Sequence, residues 1–166
     1  VELGEQFGNA DYFHDQSHWY IQSISPHPQN HSSDNWTLLI HLCRDLWDAT
    51  WEIGKSIAIQ YLTIWKSIKS PVFRRLVLYG LTTKDIYNGS DVISYLLEDD
   101  NWWLWSTSTY REVFRVLNKY WSQLDPDSTG ILINAILKGP PRNMFRDDLT
   151  SKQFNERVDR EIWLKL

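Results

Sequence analysis

The sequence contains a single cysteine, Cys43, among its 166 residues. One thiol excludes a disulfide framework and a cysteine-based zinc site within one chain, and it favours a reducing compartment. No segment approaches the roughly 18 consecutive apolar residues that a membrane-spanning helix requires. We therefore expect a cytoplasmic protein without a membrane partner.

Basic residues are also few, because 17 Lys and Arg face 21 Asp and Glu and the formal net charge is −4. A general nucleic-acid binder needs a basic face that releases counterions from the phosphate backbone. We therefore do not expect nucleic acid as a partner. A weak nucleic-acid sensor stays open as an alternative, and it would need one basic stripe made of Lys66, Lys69, Arg74, Arg75, Arg142 and Arg146.

The sequence has no β-strand alternation of useful length, whereas apolar residues recur three and four positions apart. The first such series begins near Asp34 with Trp36, Ile40, Cys43 and Trp47. It continues to Ile68, which is too long for an ordinary helix, so we predict a break between Thr50 and Gly54. Pro71 then suits the first turn of another helix.

Later segments repeat this helical pattern. Ser90 is expected to cap a helix that contains Val92 to Leu97, and Ser108 or Thr109 to cap another. "DPDSTG" is interpreted as a turn before a short helix from Ile131 to Leu137. The predicted fold class is all-α, an irregular helical bundle or an α-solenoid of the HEAT or armadillo kind with roughly six or seven helices.

The chain divides by composition near residue 33. Residues 1–33 are polar and contain Pro26 and Pro28, which predicts an irregular N-terminal arm with one short helix. Residues 34–166 form the predicted helical domain. The chain starts at Val1 and stops at Leu166 within a helical pattern, so we expect a fragment of a longer protein.

Aromatic residues are abundant, with ten tryptophans and eight tyrosines. Both residue types are enriched in cores and at protein interfaces. The segment "DDNWWLWSTSTY" is predicted to be a loop, in which regular core packing absorbs fewer rings. Its candidate interaction residues are Trp102, Trp103, Trp105 and Tyr110.

The segment "ILKGPPRNMFRDDL" has the residues of a corner between helices. Pro140 and Pro141 lack the N–H groups that a phosphate-binding loop needs, whereas Gly139 suits the end of a helix. Thr150 and Gln153 then predict a capping box for the last helix. Arg142 and Arg146 are kept as further candidate interaction residues beside Asp147 and Asp148.

No motif predicts a catalytic residue, a bound cofactor or a metal ion. Asp125 begins a calcium-loop-like run that has Ile136, and no carboxylate, at its twelfth position. His14 and His18 are spaced as zinc ligands on a helix, but two histidines do not complete a site. An enzyme with a pocket built from scattered polar residues therefore stays only as an alternative.

Three segments carry a family resemblance: "SPVFRRLVLYGL", "YREVFRVLNKYWSQL" and the chain from Ile131 to its end. Their most specific elements are G-P-P-R-x-M-F, from Gly139 to Phe145, and D-R-x-I-W, from Asp159 to Trp163. They resemble the helical domain of unknown function that follows the enzymatic domain in bacterial sirtuin-like and related antiphage-defence proteins. The resemblance covers residues 71–166 best and residues 34–166 loosely.

The resemblance implies a helical module that senses a partner or mediates assembly while a separate domain carries the activity. It transfers no catalytic residue, since none of the enzymatic motifs occurs here. Together with the composition, it predicts a non-enzymatic protein-interaction or sensor module of a larger bacterial protein. The expected partner is another protein, or a neighbouring domain or subunit of the same one.

Overall fold

The computed structural model describes residues 15–30 and 35–166, and the regular elements within these ranges are all helical. The all-α prediction is confirmed, with nine α-helices rather than six or seven in the described ranges. Two short 3-10 helices lie at Trp121–Gln123 and Arg142–Met144. The α-helices are α1 (Ser17–Tyr20), α2 (Asn35–Ile53), α3 (Lys55–Ser67), α4 (Pro71–Thr83), α5 (Gly89–Leu96), α6 (Trp102–Trp105), α7 (Tyr110–Tyr120), α8 (Pro126–Lys138) and α9 (Ser151–Trp163).

The chain forms two compact units. Of the described residues, unit 1 combines residues 15–30, 35–86 and 107–115, and unit 2 combines residues 87–106 and 116–166. The composition boundary at residue 33 therefore does not coincide with a boundary between the units.

Unit 1 is built on the consecutive helices α2, α3 and α4. The predicted break falls at Gly54, whose extended backbone separates α2 from α3. Trp47 of α2 is 2% exposed and donates a hydrogen bond from Nε1 to the carbonyl oxygen of Ala58 at 2.9 Å. An added Cβ at Gly80 of α4 would lie 3.2 Å from the Trp47 ring, so this glycine permits the close approach of α4.

The segment 15–30, which belongs to the predicted irregular arm, packs into unit 1. Ile21 and Ile24 are fully buried, and α1 is the short helix that the sequence predicted here. Asp15 accepts a hydrogen bond from the backbone N–H of Val72 at 3.0 Å, which satisfies a free donor in the first turn of α4. The segment 15–30 therefore packs against the helices of unit 1 although its sequence is largely polar.

Unit 2 contains α5, α6, α8 and α9. Asn88, and not Ser90, caps α5, because its side chain accepts from the N–H of Asp91 at 2.8 Å. The predicted turn after Asp125 is wrong, since α8 already begins at Pro126. Asp125 caps this helix by accepting from the N–H of Ser128 at 2.8 Å. A proline at the first helical position is compatible with that earlier start.

The cap of α8 predicts a pH-dependent stability. The N–H of Ser128 and the hydroxyl groups of Ser90 and Ser128 lower the pKa of Asp125 from 3.8 to about 2. Because the folded-state pKa is lowered, this contribution to stability is present above pH 3.8 and is lost as the pH falls toward 2. The melting temperature of Asp125→Asn should therefore lie below that of the wild type at neutral pH, with a gap that closes in acid.

Melting curves from about pH 6 to about pH 2 would check this prediction. Asp147→Asn is the matched control, because Asp147 is exposed and caps no helix, and it should melt like the wild type. A gap for Asp125→Asn that is unchanged across this pH range would contradict the assignment of Asp125 as the charged cap.

Candidate interaction surface

Helix α2 carries apolar side chains on two opposite faces. Its inner face includes Thr37, Ile40 and Trp47, which are buried in unit 1. Successive residues rotate by about 100° around a helix, so a second set of apolar residues falls on the opposite side. We call this set the outer stripe, and it comprises Leu38, Leu39, Leu42, Leu46 and Ile53.

The outer stripe is largely exposed. Its least exposed side chain, that of Leu42, retains 51% of its accessible surface, and Ile53 retains 86%. Isolated exposed apolar residues are common on soluble proteins, but a contiguous apolar patch marks an interaction surface. Five large apolar residues along one face of one helix form such a patch.

Four residues of the outer stripe, together with Ala49, have the spacing of a coiled-coil seam. Leu39, Leu42, Leu46, Ala49 and Ile53 are separated by steps of three, four, three and four residues. These are the a and d positions of consecutive heptads, which pack into the holes of a facing helix. Ala49 is exposed like the larger residues of the seam.

The charged residues of α2 are engaged by their own chain. Arg44 forms an ion pair with Asp45 at 2.7 Å, and Lys84 forms one with Glu52 at 3.1 Å. Asp48 accepts a hydrogen bond from the Tyr79 hydroxyl at 2.7 Å. Burial and then this carboxylate raise the pKa of Tyr79, so the hydroxyl stays protonated and remains a donor.

Helix α3 adds a second row of exposed apolar residues within unit 1. Ile57, Tyr61 and Ile64 are spaced by four and three residues, and each is about half exposed. Their spacing places them along one side of α3. Ala58 and Leu62 are fully buried and hold the helix in the core, so the row is not needed for that packing.

The predicted corner in unit 2 is confirmed and borders a cavity of about 430 Å³. Gly139 ends α8 with a φ of +77°, and Thr150 with Gln153 forms the predicted capping box of α9. Lys138 pairs with Asp100 at 3.0 Å on the cavity wall. The cavity is lined by Asp100, Lys138, Gly139, Pro140, Pro141, Arg142 and Asn143.

The acidic turn beside this cavity has an unusual backbone. Asp99, Asp100 and Asn101 are three consecutive non-glycine residues with φ between 54° and 64°. Each is a residue type that tolerates the left-handed region, and Asp99 also accepts a hydrogen bond from Nε1 of Trp103 at 2.6 Å. The turn thereby fixes the start of α6.

The expectation of a loop at the tryptophan cluster is wrong, because residues 102–105 form helix α6. Trp103 is 2% exposed and Trp105 is 6% exposed, so both rings are core residues in the structure. Lys165 places its ammonium 4.5 Å from the Trp105 ring, and burial lowers the pKa of this lysine. Trp102 and Tyr110 are half-buried. Contact of a partner with Trp103 or Trp105 would require rearrangement of the core of unit 2.

Arg142 and Arg146 are exposed but make local contacts. Arg146 binds both carboxylate oxygens of Asp148, at 3.0 and 2.6 Å. Arg142 donates to the carbonyl oxygens of Phe145 and Arg146, and its guanidinium lies 4.9 Å from the Phe154 ring centre. These contacts stabilise the corner.

A continuous exposed basic stripe is not formed. Arg75 is fully buried and Arg74 is 6% exposed, so neither can offer its guanidinium to a phosphate backbone from the surface. Their charges are part of the interior of unit 1.

Of the two histidines that are spaced as zinc ligands, His14 lies outside the described residues and His18 lies in α1. Burial and then the positive charge of Arg75 lower the pKa of His18. Within residues 15–30 and 35–166, no group of three or more His, Cys, Asp and Glu side chains is placed to hold a metal ion.

Sequence reasoning missed the outer stripe, although the sequence contains its signal. The predicted helix face ran through Trp36, Ile40, Cys43 and Trp47. Leu39, Leu42 and Leu46 form a second periodic series, offset around the same helix. A helix that is apolar on two opposite faces can bury one of them in its own domain and use the other elsewhere.

Comparisons with known proteins add no assignment: the chain matches no family model, no curated protein and no solved structure. None of the helices in the described part of the chain is long and apolar enough to cross a bilayer.

Proposed function

We propose that this chain is a non-enzymatic helical module that binds another protein chain through the outer stripe of α2. The observation that carries the proposal is the exposed heptad series from Leu39 to Ile53 on a helix whose opposite face is already buried. An apolar helix face of this kind gains stability when a second protein removes it from water.

The polar groups elsewhere support a binding role over a catalytic one. At the corner cavity, Lys138 is paired with Asp100, and Arg142 is held by backbone carbonyl groups and by Phe154. Catalytic groups converge on a position that a reacting atom can occupy, whereas these cations are directed to structural partners. The resemblance to the helical region of antiphage-defence proteins suggests bacterial cells, with and without phage infection, as the setting for a test.

A photoreactive amino acid at position 42 tests the proposal directly. Leu42 lies at the centre of the stripe, so irradiation in cells should give a discrete covalent adduct with a protein. The matched control places the same group at Leu137 of α8, which is 55% exposed and lies outside the stripe. We expect no discrete adduct from that position.

A second substitution shows whether the adduct depends on the stripe. Leu46→Asp puts a carboxylate one helical turn from position 42 and should abolish the adduct, because an unpaired charge opposes burial of the seam. The absence of a protein adduct at position 42, or equal adducts at positions 42 and 137, would overturn the proposed function.

A further inference from the structure

We propose that the partner of the outer stripe is the same stripe on a second copy of this chain, so that two α2 helices pair in a two-fold symmetric homodimer. This inference rests on the proposed function, since it names the protein that the stripe binds. The arguments for a second copy are the seam geometry, the available area and the charges along α2.

The seam has the length and spacing for pairing with an identical helix. From Leu39 to Ile53 it covers 14 steps, or about 21 Å at the helical rise per residue. Every a and d position in this range is apolar and exposed. A two-fold interface uses one patch twice and requires that patch to be self-complementary, and a heptad seam meets this requirement.

The area is sufficient for a stable dimer. A Leu or Ile side chain that is half or more exposed offers on the order of 100 Å² of apolar surface. The five residues of the outer stripe, among which Ile53 is 86% exposed, offer about 600 Å² per copy together with Ala49 of the same heptad series. Two copies would bury about 1,200 Å², which reaches the lower end of the range for specific interfaces.

The charges favour a second copy over a lipid surface. Helix α2 has one basic residue, Arg44, against Asp45, Asp48 and Glu52. Helices that lie on membranes have a polar face rich in Lys and Arg, which this helix lacks. Two identical surfaces also repel each other when they carry unbalanced charge, but Arg44 and Lys84 already pair with Asp45 and Glu52.

The mass of the purified chain in solution tests the inference. Sedimentation equilibrium from about 1 to about 200 µM should show twice the chain mass of 19.8 kDa at the upper concentrations. Leu42→Asp should remain at 19.8 kDa throughout. Leu137→Asp, the matched change outside the stripe, should associate like the wild type.

A helical circular dichroism spectrum and a cooperative melt would show that Leu42→Asp is folded. Leu46→Asp is a second variant, and it should also remain monomeric. A wild-type chain that is monomeric at every concentration overturns the homodimer, whatever these variants do. A wild-type dimer that both variants leave intact overturns it as well.

Two outcomes separate this inference from the proposed function. A monomer that still forms a photo-adduct with a different protein at position 42 would overturn the homodimer and leave the binding module standing. A monomer that gives no adduct, but binds vesicles of phosphatidylcholine and phosphatidylglycerol through Leu42, would overturn both.

Discussion

Replacing Arg75 by Met should lower the free energy of unfolding by about 3–5 kcal/mol, because the change leaves Glu112 charged and buried without its partner. Arg75 is fully buried and Glu112 is 2% exposed, and Arg75 Nε lies 3.3 Å from Glu112 Oε2. Such a loss is a large share of the stability of an ordinary domain. Urea denaturation followed by circular dichroism would measure it.

The pair also connects the segment 15–30 with α4 and the start of α7. Arg75 donates to the carbonyl oxygen of Ile21 and, at 3.3 Å, to the hydroxyl of Ser17. Glu112 accepts from the backbone N–H of Ile24 at 2.8 Å with its other oxygen. The two side chains therefore satisfy backbone groups of a segment that has little regular structure of its own.

A double variant separates the lost ion pair from the lost backbone contacts. Arg75→Met with Glu112→Leu removes both charges, so it should cost less than the sum of the single changes. It should still be less stable than the wild type, because the carbonyl of Ile21 and the N–H of Ile24 lose their partners.

The control for this series is Lys152→Met, which removes one partner of an exposed pair, Lys152 and Glu156 at 3.9 Å. Its effect should stay within about 0.5 kcal/mol. An Arg75→Met effect of similar size would contradict the view that the buried pair holds the segment in place.

Features with a local cause were predicted from the sequence. The break at Gly54, the proline at the start of α4 and the capping box at Thr150 depend on residues a few positions apart. Helix spacing likewise predicted the all-α class. The start of α8 was missed because an Asp-Pro pair suits both a turn and the first residues of a helix, and the residues after the pair decide between the two.

Features that depend on distant residues were not predicted. Arg75 entered only an alternative, the exposed basic stripe, and its sequence neighbours do not show that Glu112 and Ile21 surround it in space. Trp103 and Trp105 were candidate interaction residues in a predicted loop, because their sequence neighbours likewise do not show which residues cover them. The outer stripe is visible in the sequence only when α2 is recognised as having two apolar faces, of which its own core covers one.

Trp47→Ala should be comparably severe, with a loss of about 3–5 kcal/mol, because it removes a large buried ring from the centre of unit 1. The ring centre of Trp47 lies 5.9 Å from that of Trp51 and 6.4 Å from those of Trp65 and Tyr79. Its Nε1–H group also donates a hydrogen bond to the carbonyl oxygen of Ala58. The substitution also alters tryptophan fluorescence, so circular dichroism is the better signal. Chemical denaturation followed by circular dichroism would therefore measure the loss.

A substitution at Gly80 tests whether the stability lost in Trp47→Ala comes from packing around the Trp47 ring. An added Cβ would lie 2.5 Å from Leu62 Cδ1 as well as 3.2 Å from the Trp47 ring, so Gly80→Ala should cost about 1–3 kcal/mol through overpacking. Gly130→Ala is the matched control in α8, where nothing lies within 4 Å of the added carbon. It should instead stabilise the protein by up to about 1 kcal/mol through helix propensity.

The two sites should be coupled, because the Trp47 ring is one of the two side chains that an alanine at position 80 would crowd. In the Trp47→Ala background, Gly80→Ala should therefore lose part of its cost, and the double variant should be more stable than the sum of the single effects indicates. Gly130→Ala should have the same effect in both backgrounds. Strict additivity of Trp47→Ala and Gly80→Ala would show that α4 does not approach α2 and α3 as closely as the structure places it.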